Sequence, residues 1–146
     1  MGVRHKALGA AVAAAVAVGA GSGALAAELE VVVRGIAHDQ GGLRVALYAS
    51  PETFRKEKLA LAVHTAPAVA GEMTVVFPDL AEGTYAVIAY HDENGNGDMD
   101  RFLGMIPTEG YGLSNNPEVS GPPQFTESAV AVGGPEPTRI VIDLRY

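Results

Sequence analysis

Oxygen-bearing side chains recur at every second position in the stretch 91–100. The alternating residues are Asp92, Asn94, Asn96, Asp98 and Asp100. Calcium takes six to eight oxygen ligands at about 2.3–2.6 Å, and one short loop can supply most of them. The pattern D-x-N-x-N-G matches the first half of such a loop, with Gly97 at the position of the sharp turn. The stretch therefore predicts a calcium site formed by these five residues, with Asp98 contributing its backbone carbonyl.

The match to a calcium loop is incomplete. The twelfth position, where a bidentate glutamate is usual, is Leu103. Glu109 or Glu93 would have to supply the missing carboxylate, and we expect a dissociation constant of about 10⁻⁴–10⁻³ M. The alternative is a solvated acidic turn, because Asn-Gly dipeptides favour turns without any metal. Crowded carboxylates would repel one another in such a turn, which favours the cation.

A hydrolytic site is the catalytic alternative. His91 precedes Asp92, and Asp98, Asp100 and Glu109 follow, so a metal-assisted or carboxylate-based hydrolase is conceivable. Ser114 is not in a G-x-S-x-G motif, and the sequence has no H-E-x-x-H motif. His91 is better explained as a hydrogen-bonding residue at a strand end. These observations favour a non-catalytic protein and leave an enzyme as the second choice.

Residues 1–26 have the pattern of a secretory signal peptide. Arg4 and Lys6 precede an apolar run over residues 7–20, and Ala24-Leu25-Ala26 forms a small-x-small cleavage signature. The apolar run is short for a membrane span. We therefore expect one mature domain, residues 27–146, in the periplasm or secreted, without membrane insertion after cleavage.

The net charge of the expected mature domain and its lack of cysteine argue against some classes of partner and attachment. Loss of the leader leaves 8 basic and 17 acidic residues, a balance of −9. A protein with this net negative charge is expected to bind nucleic acid or anionic lipid poorly. The chain has no cysteine, so it has neither a disulfide nor a lipid-attachment cysteine.

Alternating apolar residues predict short strands. The period of two appears in 28–34, 43–48, 72–78, 84–90, 128–132 and 138–146, and 84–90 is apolar on both faces, as in a central strand. Ser50-Pro51-Glu52 predicts the start of one short helix ending near Leu59. The stretch 92–124 lacks periodicity but is rich in apolar residues, which predicts a long ordered loop. The predicted fold is an all-β antiparallel sandwich of about seven strands, with a closed barrel as second choice.

Several stretches together resemble a family of exported bacterial proteins catalogued as a domain of unknown function. The resemblance lies in 77–87, in H-D-x-N-x-N-G-x-x-D over 91–100, in 102–116 with its Tyr-Gly-Leu-Ser-Asn-Asn, and in 121–125. It implies an exported sandwich of the transthyretin-like or immunoglobulin-like type. It implies no activity.

A partner is expected at the loop 102–125. Tyr111, Asn115, Asn116 and Phe125 combine aromatic rings with amides, a set suited to a carbohydrate, a peptide or another protein. The aromatic rings could equally anchor the loop to the core. A metal-independent structural component of the cell envelope is the third interpretation.

Overall fold

The structure is a computed structural model that describes residues 26–146. The predicted signal peptide, apart from Ala26, lies outside the described residues. The strands are β1 (Ala27–Ile36), β2 (Gly42–Tyr48), β3 (Ala62–Pro67), β4 (Gly71–Leu80), β5 (Gly83–Asp92), β6 (Arg101–Phe102), β7 (Ile106–Pro107), β8 (Tyr111–Leu113), β9 (Val130–Val132) and β10 (Thr138–Asp143). A 3₁₀ helix spans Glu57–Leu59, and a one-turn helix, α1, spans Phe125–Ser128. Within residues 26–146, no helix has the length and apolar character needed to cross a bilayer.

Two sheets pack face to face. The first has the order β10-β1-β4, and the second has the order β3-β2-β5-β8, with β9 also pairing with β5. The pairing of β1 with β10 is parallel, whereas the other pairs in these two sheets are antiparallel. β6 and β7 form a separate two-stranded hairpin. The predicted antiparallel-rich sandwich is therefore confirmed.

The core between the sheets is formed by the apolar faces that the alternation predicts. Leu29, Val31 and Val33 of β1 are fully buried against Val45 of β2 and Val87 of β5. Fully burying a side chain of this size contributes about 1.5–3 kcal/mol. The two sheets are thus held together by β-branched and leucine side chains at alternate positions.

The outer face of the second sheet is also covered. Tyr48 and Ile88 lie on this face, and Phe54 and Phe125 pack over it from the flanking loops. The Phe54 ring contacts Tyr48 and Phe125 edge to face, with centroids 5.5 and 5.8 Å away. This third layer explains why both faces of β5 are apolar.

Local details differ from the sequence-based expectations. The predicted helix over 54–59 is a turn followed by the short 3₁₀ helix, because Arg55 has a positive φ of 67° that ends any helical run. β1 and β2 could be read from the sequence as a hairpin or as strands joined by a short connection; the second interpretation is correct, because they lie in different sheets. β3 was not predicted, because as an edge strand it is mostly exposed and lacks an alternating apolar pattern. The long stretch 92–124 contains β6, β7 and β8.

Ser114 joins two short strands into one sheet edge. β8 and β9 pair with opposite halves of β5, which leaves a gap near Val87. The buried Ser114 hydroxyl accepts a hydrogen bond of 2.9 Å from Val87 N and donates to Ser128 O, while Ser114 N donates to Val87 O. The side chain thus takes the place of missing backbone partners, a structural role rather than a nucleophilic one.

Replacement of Ser114 by alanine should destabilise the fold. Each buried backbone group left unpaired costs about 1–3 kcal/mol, so we expect a loss of that order or larger in the free energy of unfolding. Ser120→Ala is the matched control, because Ser120 is exposed. Urea unfolding of the two variants measures the difference, and equal stabilities would contradict the role given to Ser114.

Candidate metal centre

Strand β5 presents the acidic loop at its carboxyl end. Its last eight residues are buried, and Asp92, the final one, is 4% exposed. The chain then leaves the sheet through Gly95 and Gly97, which have φ values of 70° and 80°. Glycine adopts these values at little cost, so the loop can curl directly after the strand.

The Asp92 carboxylate organises the loop backbone. Oδ1 accepts a hydrogen bond of 3.1 Å from Asn96 N, and Oδ2 accepts one of 2.8 Å from Gly97 N. The Oδ1 atom of Asn94 also accepts from Asn96 N at 3.1 Å, and that of Asn96 accepts from Asp98 N at 3.0 Å. The side chains at the first, third and fifth positions therefore hold the backbone of this loop through hydrogen bonds.

Asp100 closes the loop from its other end. Its Oδ1 accepts a hydrogen bond of 2.8 Å from Asn96 Nδ2, and its Oδ2 accepts one from Asn94 Nδ2. The structure thus joins the side chains of Asp92, Asn94, Asn96 and Asp100 in one network. Asp98 is exposed, and its side chain makes no hydrogen bond to the described residues of this network.

Glu109 folds back into the same loop. The carboxylate is 5% exposed and accepts hydrogen bonds of 3.1 Å from Glu93 N and from Asp100 N, one at each oxygen. Burial raises the pKa of Glu109, and the charges of Asp100 and Asp92 raise it further, against the lowering effect of the two backbone donors. Glu109 therefore connects the two ends of the loop through backbone hydrogen bonds.

Three carboxylates of this loop, those of Asp92, Asp100 and Glu109, have no ion-pair partner among residues 26–146. Three carboxylates within one short loop repel one another in a partly buried setting. Oxygen ligands gathered in this way can hold a hard cation such as calcium.

A polar support behind the loop was not predicted from the sequence. The Tyr90 hydroxyl lies 3.0 Å from Glu57 Oε2 and 3.2 Å from the Gly97 carbonyl oxygen. Arg44 donates to Glu57 from its Nε atom at 3.1 Å. Burial, followed by the nearby Glu57 carboxylate, raises the pKa of Tyr90. Glu57 is distant in sequence, so no local motif could reveal this contact.

The candidate catalytic and partner-binding side chains are engaged in structural hydrogen bonds. His91 is fully buried, with Nδ1 2.8 Å from the Tyr146 hydroxyl and Nε2 2.6 Å from Gln40 O. Asn115 Nδ2 donates to Ala129 O at 2.8 Å. The Asn116 amide binds Val141 O and Asp143 N of β10 at 3.0 and 2.8 Å. Phe125 packs on Phe54. These amides and this ring hold the loop 102–125 against the sheets.

The β1–β2 turn approaches the acidic loop at Gly41. This residue has a φ of 70°, and a Cβ atom built there would lie 2.0 Å from Asp92 O and 2.7 Å from Glu93 O. No side chain fits between the two backbones. Gly41 is thus required for the contact between the turn and the end of β5.

The fold and this loop define a small β-sandwich protein with a cluster of carboxylate and amide side chains at the end of its central strand. A family model described as "Uncharacterized protein conserved in bacteria (DUF2141)" matches residues 31–140. The chain belongs to this bacterial family, which agrees with the resemblance drawn from its motifs. No curated protein and no solved structure matches the chain.

Gly41→Ala should lower the free energy of unfolding by more than the positive φ of Gly41 alone would explain. Left-handed backbone costs a non-glycine residue about 1–2 kcal/mol, and overpacking adds about 1–3 kcal/mol. Gly134→Ala is the matched control, because Gly134 has a φ of 87° and no atom within 4 Å of its added Cβ. Denaturant unfolding compares the variants, and equal losses would show that the close approach does not constrain the fold.

In the presence of chelator, the pKa of Glu109 should lie above its ordinary value of 4.5. Because its pKa is raised in the folded state, its stabilising contribution is fully present below the unfolded pKa and is lost as pH rises through the folded pKa. Carboxyl-carbon NMR measures the titration directly. Asp143 is the internal reference, because hydrogen bonding by Arg34 lowers its pKa below 3.8. A Glu109 midpoint at or below 4.5 would contradict the described environment.

Proposed function

We propose that this protein is an exported, non-catalytic module whose acidic loop binds calcium and thereby orders the segment 92–125. The ligands are Asp92, Asn94, Asn96, Asp100 and the backbone carbonyl of Asp98, with Glu109 as the distant carboxylate. The observation that carries the proposal is the buried Glu109 carboxylate, which bridges Glu93 N and Asp100 N inside the loop. Burying a carboxylate beside other carboxylates is costly unless a cation compensates the charge.

The existing hydrogen bonds are compatible with calcium binding. The Nδ2 groups of Asn94 and Asn96 donate to the Asp100 carboxylate, and their Oδ1 atoms accept from Asn96 N and Asp98 N. Each Oδ1 atom has a second lone pair, so the same side chains can serve as ligands without rotation of the amide. The role of the ion is then to add a positive charge beside the two amide donors.

Calcium would also fix the hairpin formed by β6 and β7. The hairpin begins directly after Asp100 and ends two residues before Glu109, and Thr108 N donates to Asp100 O at 2.8 Å. An ion bound by Asp100 and Glu109 therefore holds both legs of the hairpin. Order in this segment becomes coupled to the metal.

A partner protein or peptide suits the tip of this hairpin better than a carbohydrate. Leu103, Met105 and Ile106 are 76, 76 and 59% exposed. Leu103 adopts a φ of 54°, a conformation that asparagine or glycine accepts at lower cost. Exposed apolar groups at such a turn do not stabilise the isolated fold, which supports a role in contacting an apolar surface.

Export is proposed on the sequence of residues 1–26 and places the module in the periplasm or outside the cell. Calcium is abundant in extracellular settings, where modules bind it with dissociation constants of about 10⁻⁴–10⁻³ M. Such an affinity suits a structural ion rather than a signal sensor.

Calorimetric titration with calcium tests the proposal. We expect binding of one ion and a stabilisation of about 2.7 kcal/mol at a 100-fold excess over the dissociation constant. Asp100→Asn and Glu109→Gln should weaken binding at least ten-fold. Asp98→Asn is the matched control, because it keeps the backbone carbonyl and its exposed side chain lies outside the network.

The results of these titrations distinguish calcium coordination from a metal-independent structural role. Absence of binding heat, together with an unchanged melting temperature in calcium, would overturn the calcium role and leave a metal-independent structural component. Equal weakening by all three substitutions would contradict the ligand assignment, because it would indicate a general charge effect rather than coordination.

A further inference from the structure

A second group of potential metal ligands lies beside the acidic loop and differs from it in chemistry. One ligand atom each of His38, His91 and Glu93 lies within 4.8 Å of the others. His38 belongs to the turn between β1 and β2, whereas His91 and Glu93 lie at the end of β5. The two imidazole rings are 4.6 Å apart, and His38 Nε2 lies 3.7 Å from Glu93 Oε1. The group combines two nitrogens with one carboxylate, in contrast to the all-oxygen loop.

The hydrogen bonds of His91 fix which ring nitrogen can bind a metal. Nε2 lies 2.6 Å from Gln40 O, and a carbonyl oxygen can only accept, so Nε2 carries the proton. Nδ1 therefore presents its lone pair. The Tyr146 hydroxyl, which accepts from Ala37 N at 3.0 Å, donates its own proton to Nδ1 at 2.8 Å. Metal-bound histidines commonly donate their other N–H to a backbone carbonyl, as His91 does here.

The surroundings allow an ion to enter. The side chains of His38 and Glu93 are 39 and 33% exposed, so the group opens to solvent on one side while His91 is fully buried on the other. Coordination through His38 Nε2 moves its ring proton to Nδ1 and releases the 3.2 Å hydrogen bond from Gln40 N. Coordination through His91 Nδ1 breaks the hydrogen bond from the Tyr146 hydroxyl, which keeps its proton and turns away from the ring.

We infer that His38, His91 and Glu93 form a binding site for a late transition-metal ion, of which Zn²⁺ is the simplest probe. Two histidines and one glutamate are a three-ligand set that zinc uses when a fourth position is left open to water. Imidazole nitrogen favours zinc, copper or nickel over calcium, so the site is selective against the ion proposed for the neighbouring loop. The inference does not depend on calcium binding.

Calorimetric titration of the purified, chelator-treated protein with ZnCl₂ tests the site. We expect one Zn²⁺ per chain, and at least ten-fold weaker binding in His38→Ala and in Glu93→Gln. His64→Ala is the matched control, because His64 is exposed on β3 and distant in sequence from the group, and it should bind as the unsubstituted protein does. Saturating calcium should leave the Zn²⁺ affinity unchanged.

Imidazole NMR provides a second readout that does not require a substitution at the buried His91. Zn²⁺ should shift the ring signals of His38 and His91 and leave those of His64 in place. Absence of Zn²⁺ binding, unaltered binding in His38→Ala, or equal loss in His64→Ala would overturn the inference. Asp100→Asn should weaken calcium binding without altering Zn²⁺ binding, so failure of one site is distinguishable from failure of the other.

Discussion

Repulsion among carboxylates in the loop after β5 is the constraint on which the rest of this account depends. The carboxylates of Asp92 and Glu109 accept hydrogen bonds from backbone N–H groups, and that of Asp100 accepts from the side-chain amides of Asn94 and Asn96. Each of these hydrogen bonds stabilises a carboxylate, while the charges of Asp100 and Asp92 still raise the pKa of Glu109. The cation that we propose for this loop would relieve that repulsion.

The sandwich makes this arrangement possible because it fixes both ends of the segment. β5 is the central strand of the second sheet and delivers Asp92 from a buried position. At the other end, Ser114 and Asn116 substitute for backbone partners and attach the chain after β8 to β5 and β10. Polar side chains that resemble a binding or catalytic motif in the sequence thus serve to complete the sheets. Rigid attachment at both ends limits the conformations open to this loop.

The sequence predicted those parts of the molecule that depend on local pattern. Alternating apolar residues predicted the strands of the core. The calcium site that D-x-N-x-N-G predicts at Asp92, Asn94 and Asn96 stays a prediction. The sequence left Glu109 and Glu93 as alternatives, because the turn of β6 and β7 that returns Glu109 has no sequence signature. Contacts between distant segments, such as Glu57 with Tyr90 or Gly41 with Asp92, depend on the packing of the two sheets and are not encoded in any short motif.

Hydrogen exchange at the backbone amides of Glu93 and Asp100 measures whether a cation holds this loop, because both amides donate to the Glu109 carboxylate. If a cation holds the loop together, these amides exchange faster in chelator than the core amides of β5 and become markedly more protected when calcium is added. Identical exchange of the two amides with and without calcium would contradict the account.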